Sequence, residues 1–205
     1  MTFNDMLTRF QSILNRDDCT ADAGTIYLQD SMARVVREAR LPNMERSVIV
    51  TVTDQPATFI AIPPDLIAVI DIFVSDGVRP GTRAMIQLAQ RQLYQLCPTD
   101  LPTAYSRFQG QFNFAGSVPK GGTITLWYYG EFSDFATLDS ENEISASNPD
   151  LVIYGALSFA ADVFSHPSAD QWEARYQQIL SQVQALASDL DTMGGPIAVS
   201  PMYVE

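Results

Sequence analysis

The chain of 205 residues is 46% hydrophobic and 18% charged, with a formal net charge of -12. That composition builds a core and excludes a disordered chain, the length allows one ordinary domain or two small ones, and no run of about 18 apolar residues occurs that would span a membrane. A single lysine, Lys120, and twelve acids against one base over residues 131–205 exclude the clustered positive charge that grips nucleic-acid phosphates.

The opening MTFNDMLTRFQ is acidic and amphipathic where a secretory signal is basic and then apolar, so synthesis in a cytoplasm is expected. Phe3, Met6, Leu7, Phe10, Ile13 and Leu14 keep helical spacing behind a Thr2 cap and predict a helix to about Arg16. Asp17-Asp18-Cys19-Thr20 breaks it. A second helix over Asp22 to Arg40 carries Leu28, Met32, Val35 and Ala39 on one face and stops before Pro42. Its other face carries Arg34, Arg37 and Arg40 at spacings of three, either a partner-facing stripe or a solvated face.

From Arg46 the period shortens to two. Val48, Val50 and Val52 alternate with Ile49, Thr51 and Thr53, the pattern of a half-buried strand. Phe59 to Ile62 is a second strand, stopped by Pro63-Pro64. Ile67 to Val74 is a third, and Asp76-Gly77 turns it into a returning strand around Arg83 to Gln87. Leu88 to Leu96 has weak helical character before Pro98. Tyr105 to Phe108, Phe112 to Ala115 and Thr123 to Phe132 are further strands, with Lys120-Gly121-Gly122 as the turn between the last two. In the last strand Ile124, Leu126 and Tyr128 face one way and Trp127 and Tyr129 the other, which predicts a packing partner on each face.

Asn148-Pro149-Asp150 reads as a helix start: a cap side chain for the orphan N–H groups, a proline at the first helical position and an acid for the dipole. The helix from Leu151 to Phe164 is apolar except at Ser158 and Asp162, with Ser165 beyond, and is expected to be buried. After His166-Pro167, Ser168 and Gln171 form a capping-box pattern. Trp172, Tyr176, Ile179, Val183, Leu186 and Leu190 then make one seam, and Gly194-Gly195-Pro196 ends the helix.

The order of elements predicts an α+β fold: a helical bundle from the N- and C-terminal helices, with an inserted antiparallel β subdomain and an extended C-terminal tail. The boundaries are residues 1–45 for the N-terminal helices, 46–132 for the β-rich subdomain, 133–147 for an acidic linker, 148–193 for the C-terminal helices and 194–205 for the tail.

The stretches NPDLVIYGALSFAADVF, DQWEARYQQILSQVQALASDLD and GGPI resemble the C-terminal half of the head-to-tail adaptor proteins of tailed, mainly short-tailed, bacteriophages. LNRDDCTADAGTIYLQDSMARVVREARLPNMERSV is similar to that family's opening helices, and IAIPPDL and ITLWYYGEF agree more loosely. The resemblance implies a structural virion protein: a dodecameric ring below the portal that bridges it to the tail and continues the DNA channel. The implied partners are the portal protein, a tail nozzle or tail tube protein and further copies of the chain, with no membrane and no specific nucleic-acid binding. The implied place is the virion neck, after assembly in the host cytoplasm.

No cofactor is expected, since phosphate-cradle, dinucleotide and nucleophile-elbow motifs are absent from the sequence. His166 is the only histidine and sits at a helix end, where it serves the last carbonyls or acts as a lone base. Asp139, Glu141 and Glu143 share a loop without the glycine of an EF-hand, so they read as solvated acids or, less simply, as a cation site. Cys19 and Cys97 are far apart in the sequence and read as free thiols, a single disulfide being the other option. Rival functions are a virion-associated carboxylate-dependent hydrolase and a carbohydrate-binding module using Trp127, Tyr128 and Tyr129.

Three groups of residues are expected to meet partners. Arg34, Arg37 and Arg40 face a neighbouring subunit, and Glu141, Glu143, Asp189 and Asp191 line the channel. Pro196, Ile197, Val199, Pro201, Met202, Tyr203 and Val204 form an alternating, proline-stiffened tail that docks on the portal, the other option being a tail folded back on its own helices.

Overall fold

Two segments distant in sequence build one helical unit, Met1–Asn43 with Phe132–Glu205, and the chain between them, Met44–Glu131, builds a β unit. The computed structural model describes residues 1–78, 81–96 and 101–192, the last four through their backbone alone.

In the helical unit, α1 (Phe3–Leu14) starts at a reciprocal Thr2–Asp5 capping box and ends at Asn15 in the left-handed conformation. Phe3, Met6, Leu7, Phe10 and Leu14 are buried, one face of a 3.6-residue period. Thr20 caps α2 (Ala21–Glu38), which buries Gly24, Leu28, Ser31 and Val35. Helix α5 (Pro149–Phe164) is the centre of the bundle and packs on α1, on α2, on α4 (Glu143–Ser147) and on α6 (Ala169–Thr192). Leu151, Val152, Ile153, Ala156, Leu157 and Ala160 are fully buried, so neighbours cover nearly every side of its first three turns. Gly155 lets α2 and α6 close in: a Cβ there would collide with Ser31 Oγ and lie 3.2 Å from the Tyr176 ring. Ser31 Oγ uses that proximity to donate to the Val152 carbonyl at 2.7 Å, which satisfies a buried hydroxyl.

Several details depart from the sequence expectation. Asn148 occupies the cap position of α5 but makes no side-chain cap bond; its Nδ2 donates to Ser147 Oγ instead, leaving Pro149 to start the helix. The α6 seam runs through Trp172, Tyr176, Leu180 and Ala187, while Leu186 is 64% exposed. Residues 133–147, expected as a linker, contain α4 and pack as part of the bundle. Ile144 is fully buried, Phe135 meets the Phe3 ring edge-on at 4.9 Å, and the Phe3 and Asn4 amides donate to the Ser140 and Leu138 carbonyls. The Gly194-Gly195-Pro196 stop, the tail and Cys97 lie outside the described residues.

The inserted β unit is mainly antiparallel, as the order of elements predicts. Among the described residues its strands form two four-stranded sheets, in order β1-β8-β3-β4 and β2-β7-β6-β5. These are β1 (Glu45–Thr51), β2 (Ala57–Ala61), β3 (Leu66–Ser75), β4 (Arg83–Ala84), β5 (Ile86–Gln87), β6 (Ala104–Phe108), β7 (Gln111–Val118) and β8 (Thr123–Gly130). The expected strand at Arg83 to Gln87 is two short ones on either side of Met85: β4 pairs antiparallel with β3, and β5 pairs parallel with β6. The Lys120-Gly121-Gly122 turn likewise passes from one sheet to the other, with the Gly121 amide donating to the Val52 carbonyl and the Gly122 carbonyl accepting from the Val52 amide. Sequence alternation is blind to this distinction, because a strand looks the same whichever sheet it joins.

One core lies between the sheets. Ile72, Val74, Ile124, Leu126 and Tyr128 of the first meet Ile60, Tyr105, Phe112, Phe114 and Val118 of the second. Helix α3 (Gln90–Leu93) covers part of the outer side of the second sheet, where Leu93 packs on Ala104 and Ala115.

Candidate interaction surfaces

The arginine stripe of α2 divides on inspection. Arg34 belongs to its own bundle: Nη1 and Nη2 donate to both Glu173 oxygens at 2.9 and 2.6 Å, and Nε donates to Glu38 at 2.9 Å. Its guanidinium lies 4.1 Å from the centre of the Tyr176 ring, whose hydroxyl donates to Glu38 at 2.7 Å. Ser158 Oγ and Gln177 Nε2 complete the shell of Glu173 at 2.6 and 2.9 Å. The bidentate arginine, first of all, then holds the Glu173 carboxyl down to about 2, and Arg34 is in turn raised by Glu173. Desolvation, and then the bond to Glu38, push the Tyr176 hydroxyl up. This knot joins α2, α5 and α6. Arg40 bonds the Val36 and Ala39 carbonyls at the end of α2 and stays exposed, as does Arg37.

The acids expected to line a channel are placed one by one. Glu141 is exposed and pairs with the Met1 amine. Glu143 accepts from the Ser133 amide and hydroxyl at 2.9 and 2.7 Å, so its carboxylate ties the start of α4 to the chain that enters the bundle. The side chains of Asp189 and Asp191, and the tail residues Pro196, Ile197, Val199, Pro201, Met202, Tyr203 and Val204, lie outside the described residues. Among the described residues no group of three or more His, Cys, Asp and Glu is placed to hold a metal ion, and no helix is long and apolar enough to cross a membrane.

His166 takes a different role from the one expected. Its Nδ1 accepts from the Ser168 amide at 3.1 Å, at the entry to α6, and its ring stacks on Trp172 at 4.4 Å. Service to the last carbonyls of α5 comes from backbone amides, with both His166 and Ser165 donating to the Ala161 carbonyl. Cys19 is a buried free thiol whose burial raises its pKa.

The outer faces of the β unit carry what sequence reasoning missed. Ten of the fourteen exposed large hydrophobics among the described residues belong to it. On the first sheet Ile49, Thr125 and Phe73 lie in one cross-strand row, next to a row of Ser47, Trp127 and Asp71. Ile49 is 67% and Trp127 45% exposed, so the partner expected on the second face of β8 is not supplied by its own unit. Trp127 meets Phe73 edge-on, with ring centroids 5.0 Å apart and 63° between the ring planes. On the second sheet Phe59 and Phe108, 49% and 48% exposed, point to the opposite outer side. The available signal was apolar residues on both parities of one strand, Ile49 beside Val48 and Phe59 beside Ile60.

A family model described as SU10 adaptor protein matches residues 1–200. A search of curated proteins finds no match.

Proposed function

Because the chain belongs to the SU10 adaptor protein family, a family of phage head-to-tail adaptors, we propose that it assembles as a ring below the portal, docks its tail there, and continues the DNA channel toward the tail. Its role is that of a structural adaptor of the virion, which interacts with portal and tail components. The observation that carries the finer reading is the family match over nearly the whole chain, covering both the helical and the β unit. The architecture suits it. A bundle locked by the Arg34–Glu173 knot is a rigid body, and a β unit with apolar outer faces has surface left for neighbours.

A ring of twelve copies, matching the portal, bridges it to a tail nozzle or tail tube protein. Arg37 and Arg40 face the neighbouring subunit across one seam. Acids of the C-terminal third, including Glu141, Glu143, Asp189 and Asp191, line the lumen and repel the DNA backbone. Pro196, Ile197, Val199, Pro201, Met202, Tyr203 and Val204 supply the portal contact by adding to a sheet edge or filling a groove. The test is the mass of the purified chain with and without portal-bearing heads. A closed ring on the portal is expected, and a chain that stays monomeric and unattached in both settings overturns the reading.

A further inference from the structure

We infer that the two outer faces of the β unit are the two halves of one subunit seam, the Ile49–Trp127 face of one copy seating on the Phe59–Phe108 face of a second copy. This rests on the ring reading and names the surface that closes the ring.

The geometry begins with the shared core. Because both sheets point their Ile72, Leu126, Ile60 and Phe112 rows at each other, their outer faces look in opposite directions. Alternation then fixes what each shows. Ile124, Leu126 and Tyr128 go inward on β8, so Thr125 and Trp127 go outward, together with Ile49 and Phe73 opposite Thr125. Ile60 and Phe112 go inward on the second sheet. Phe59, opposite Asn113, and Phe108, opposite Gln111, therefore go outward. Two different apolar patches on opposite sides of one unit are what a head-to-tail contact requires, whereas a two-fold dimer uses one patch twice.

Charge selects a second copy as the occupant. Residues 1–43 and 132–205 hold seventeen acids against six bases, while residues 44–131 hold seven against six. Helical units brought together would set like charge against like charge, except where the exposed Arg37 and Arg40 of one copy meet acids of the next. The nearly neutral β unit is where identical chains approach at least electrostatic cost. The row of Ile49, Thr125 and Phe73, and the rows that carry Phe59 and Phe108, contain no charged residue, and the Trp127 row carries one, Asp71. β1 is also an edge strand of seven residues, with neither proline nor lysine to blunt it.

The experiment uses two full-length variants, Ile49→Lys with Trp127→Thr on one face and Phe59→Thr with Phe108→Lys on the other. Sedimentation is measured where the wild-type chain assembles, and circular dichroism checks the fold. Each variant alone should remain monomeric, and an equimolar mixture should give a 1:1 pair and nothing larger, since one intact seam remains. Should the Trp127 change unfold the β unit, Ile49→Lys alone serves, at a side chain 67% exposed. If the Phe59/Phe108 variant alone assembles normally, or the mixture of two blocked variants stays monomeric, the two faces do not meet and the inference fails. Normal assembly by both variants places the seam elsewhere and leaves the ring reading standing. A wild-type chain that never assembles overturns the ring reading itself.

Discussion

At the scale of single residues, the Arg34–Glu173 pair sets how the bundle responds to acid. Glu173 has a folded pKa near 2 against an ordinary value of 4.5, with the Arg34 guanidinium as the main cause. A depressed carboxyl stabilises the fold in full above about 4.5 and loses that contribution as pH falls from there toward 2. Glu173→Gln should therefore lower stability near neutral pH by about 1–2 kcal/mol; Glu173 is 38% exposed, and water screens the pair below what the shift implies. Below pH 4 the variant and the wild type should converge in urea melts followed by helical circular dichroism. A gap that stays constant down to pH 2 would show that the carboxylate contributes nothing to the knot. The same geometry decides how the α2 stripe is tested. Reversing Arg34 would break the bundle, so the test of a subunit contact is Arg37→Glu with Arg40→Glu, which should weaken ring formation and leave the melt unchanged; a ring of normal stability at physiological salt removes these two from the seam. A third residue-scale expectation concerns Gly155. Alanine there drives a methyl onto Ser31 Oγ and should cost about 1–3 kcal/mol. Ser31→Ala in that background should recover part of the loss, because the two changes share one contact. Strictly additive urea melts would mean that the helices simply move apart.

At the scale of elements, helices were legible in the sequence to within a few residues wherever a cap and a stripe coincided. Thr2 with Phe3, Met6 and Phe10 marks α1, and Pro149 with a run of apolar residues marks a buried α5. What was not legible is set by partners distant in sequence. Arg34 looks like a surface charge until α6 brings Glu173 to it, 139 residues on. Asp139, Glu141 and Glu143 look like a solvated loop, yet α4 forms there because Asn142 caps it and Ile144 enters the core. Strand pairing fails for the same reason, since β4 and β5 are neighbours in sequence and members of different sheets. The tail is the element where sequence still leads. Ile197, Val199, Met202 and Val204 alternate with smaller or polar residues, and Pro196 and Pro201 reduce the entropy lost on ordering. Deleting residues 196–205 should leave a chain with unchanged melting that no longer joins portal-bearing heads. Normal attachment of the truncated chain would mean that another element holds the portal.

At the scale of the whole molecule, the uneven charge has a mechanical consequence for a proposed conduit. Residues 131–205 carry twelve acids and one base, and four of the eleven bases elsewhere are held in ion pairs: Arg9 with Asp150, Arg16 with Asp18, Arg34 with Glu173 and Arg46 with Asp65. Binding duplex DNA depends on releasing condensed counterions by neutralising phosphates, and in a chain of net charge -12 the acids outnumber the bases two to one and oppose it. In a ring the like charge is repeated around the axis, so its contributions converge on the lumen, each acting over about 8 Å at physiological ionic strength. A genome moving through such a lumen meets repulsion from every side and no site on which to stall. The purified ring should accordingly show no measurable affinity for duplex DNA in a mobility-shift titration at moderate salt. Lowering the salt should make association weaker still, the reverse of what proteins with basic grooves do. Tight binding that strengthens as salt is removed would mean that exposed bases such as Arg37 and Arg40 outweigh the acids, and would overturn the assignment of those acids to the lumen.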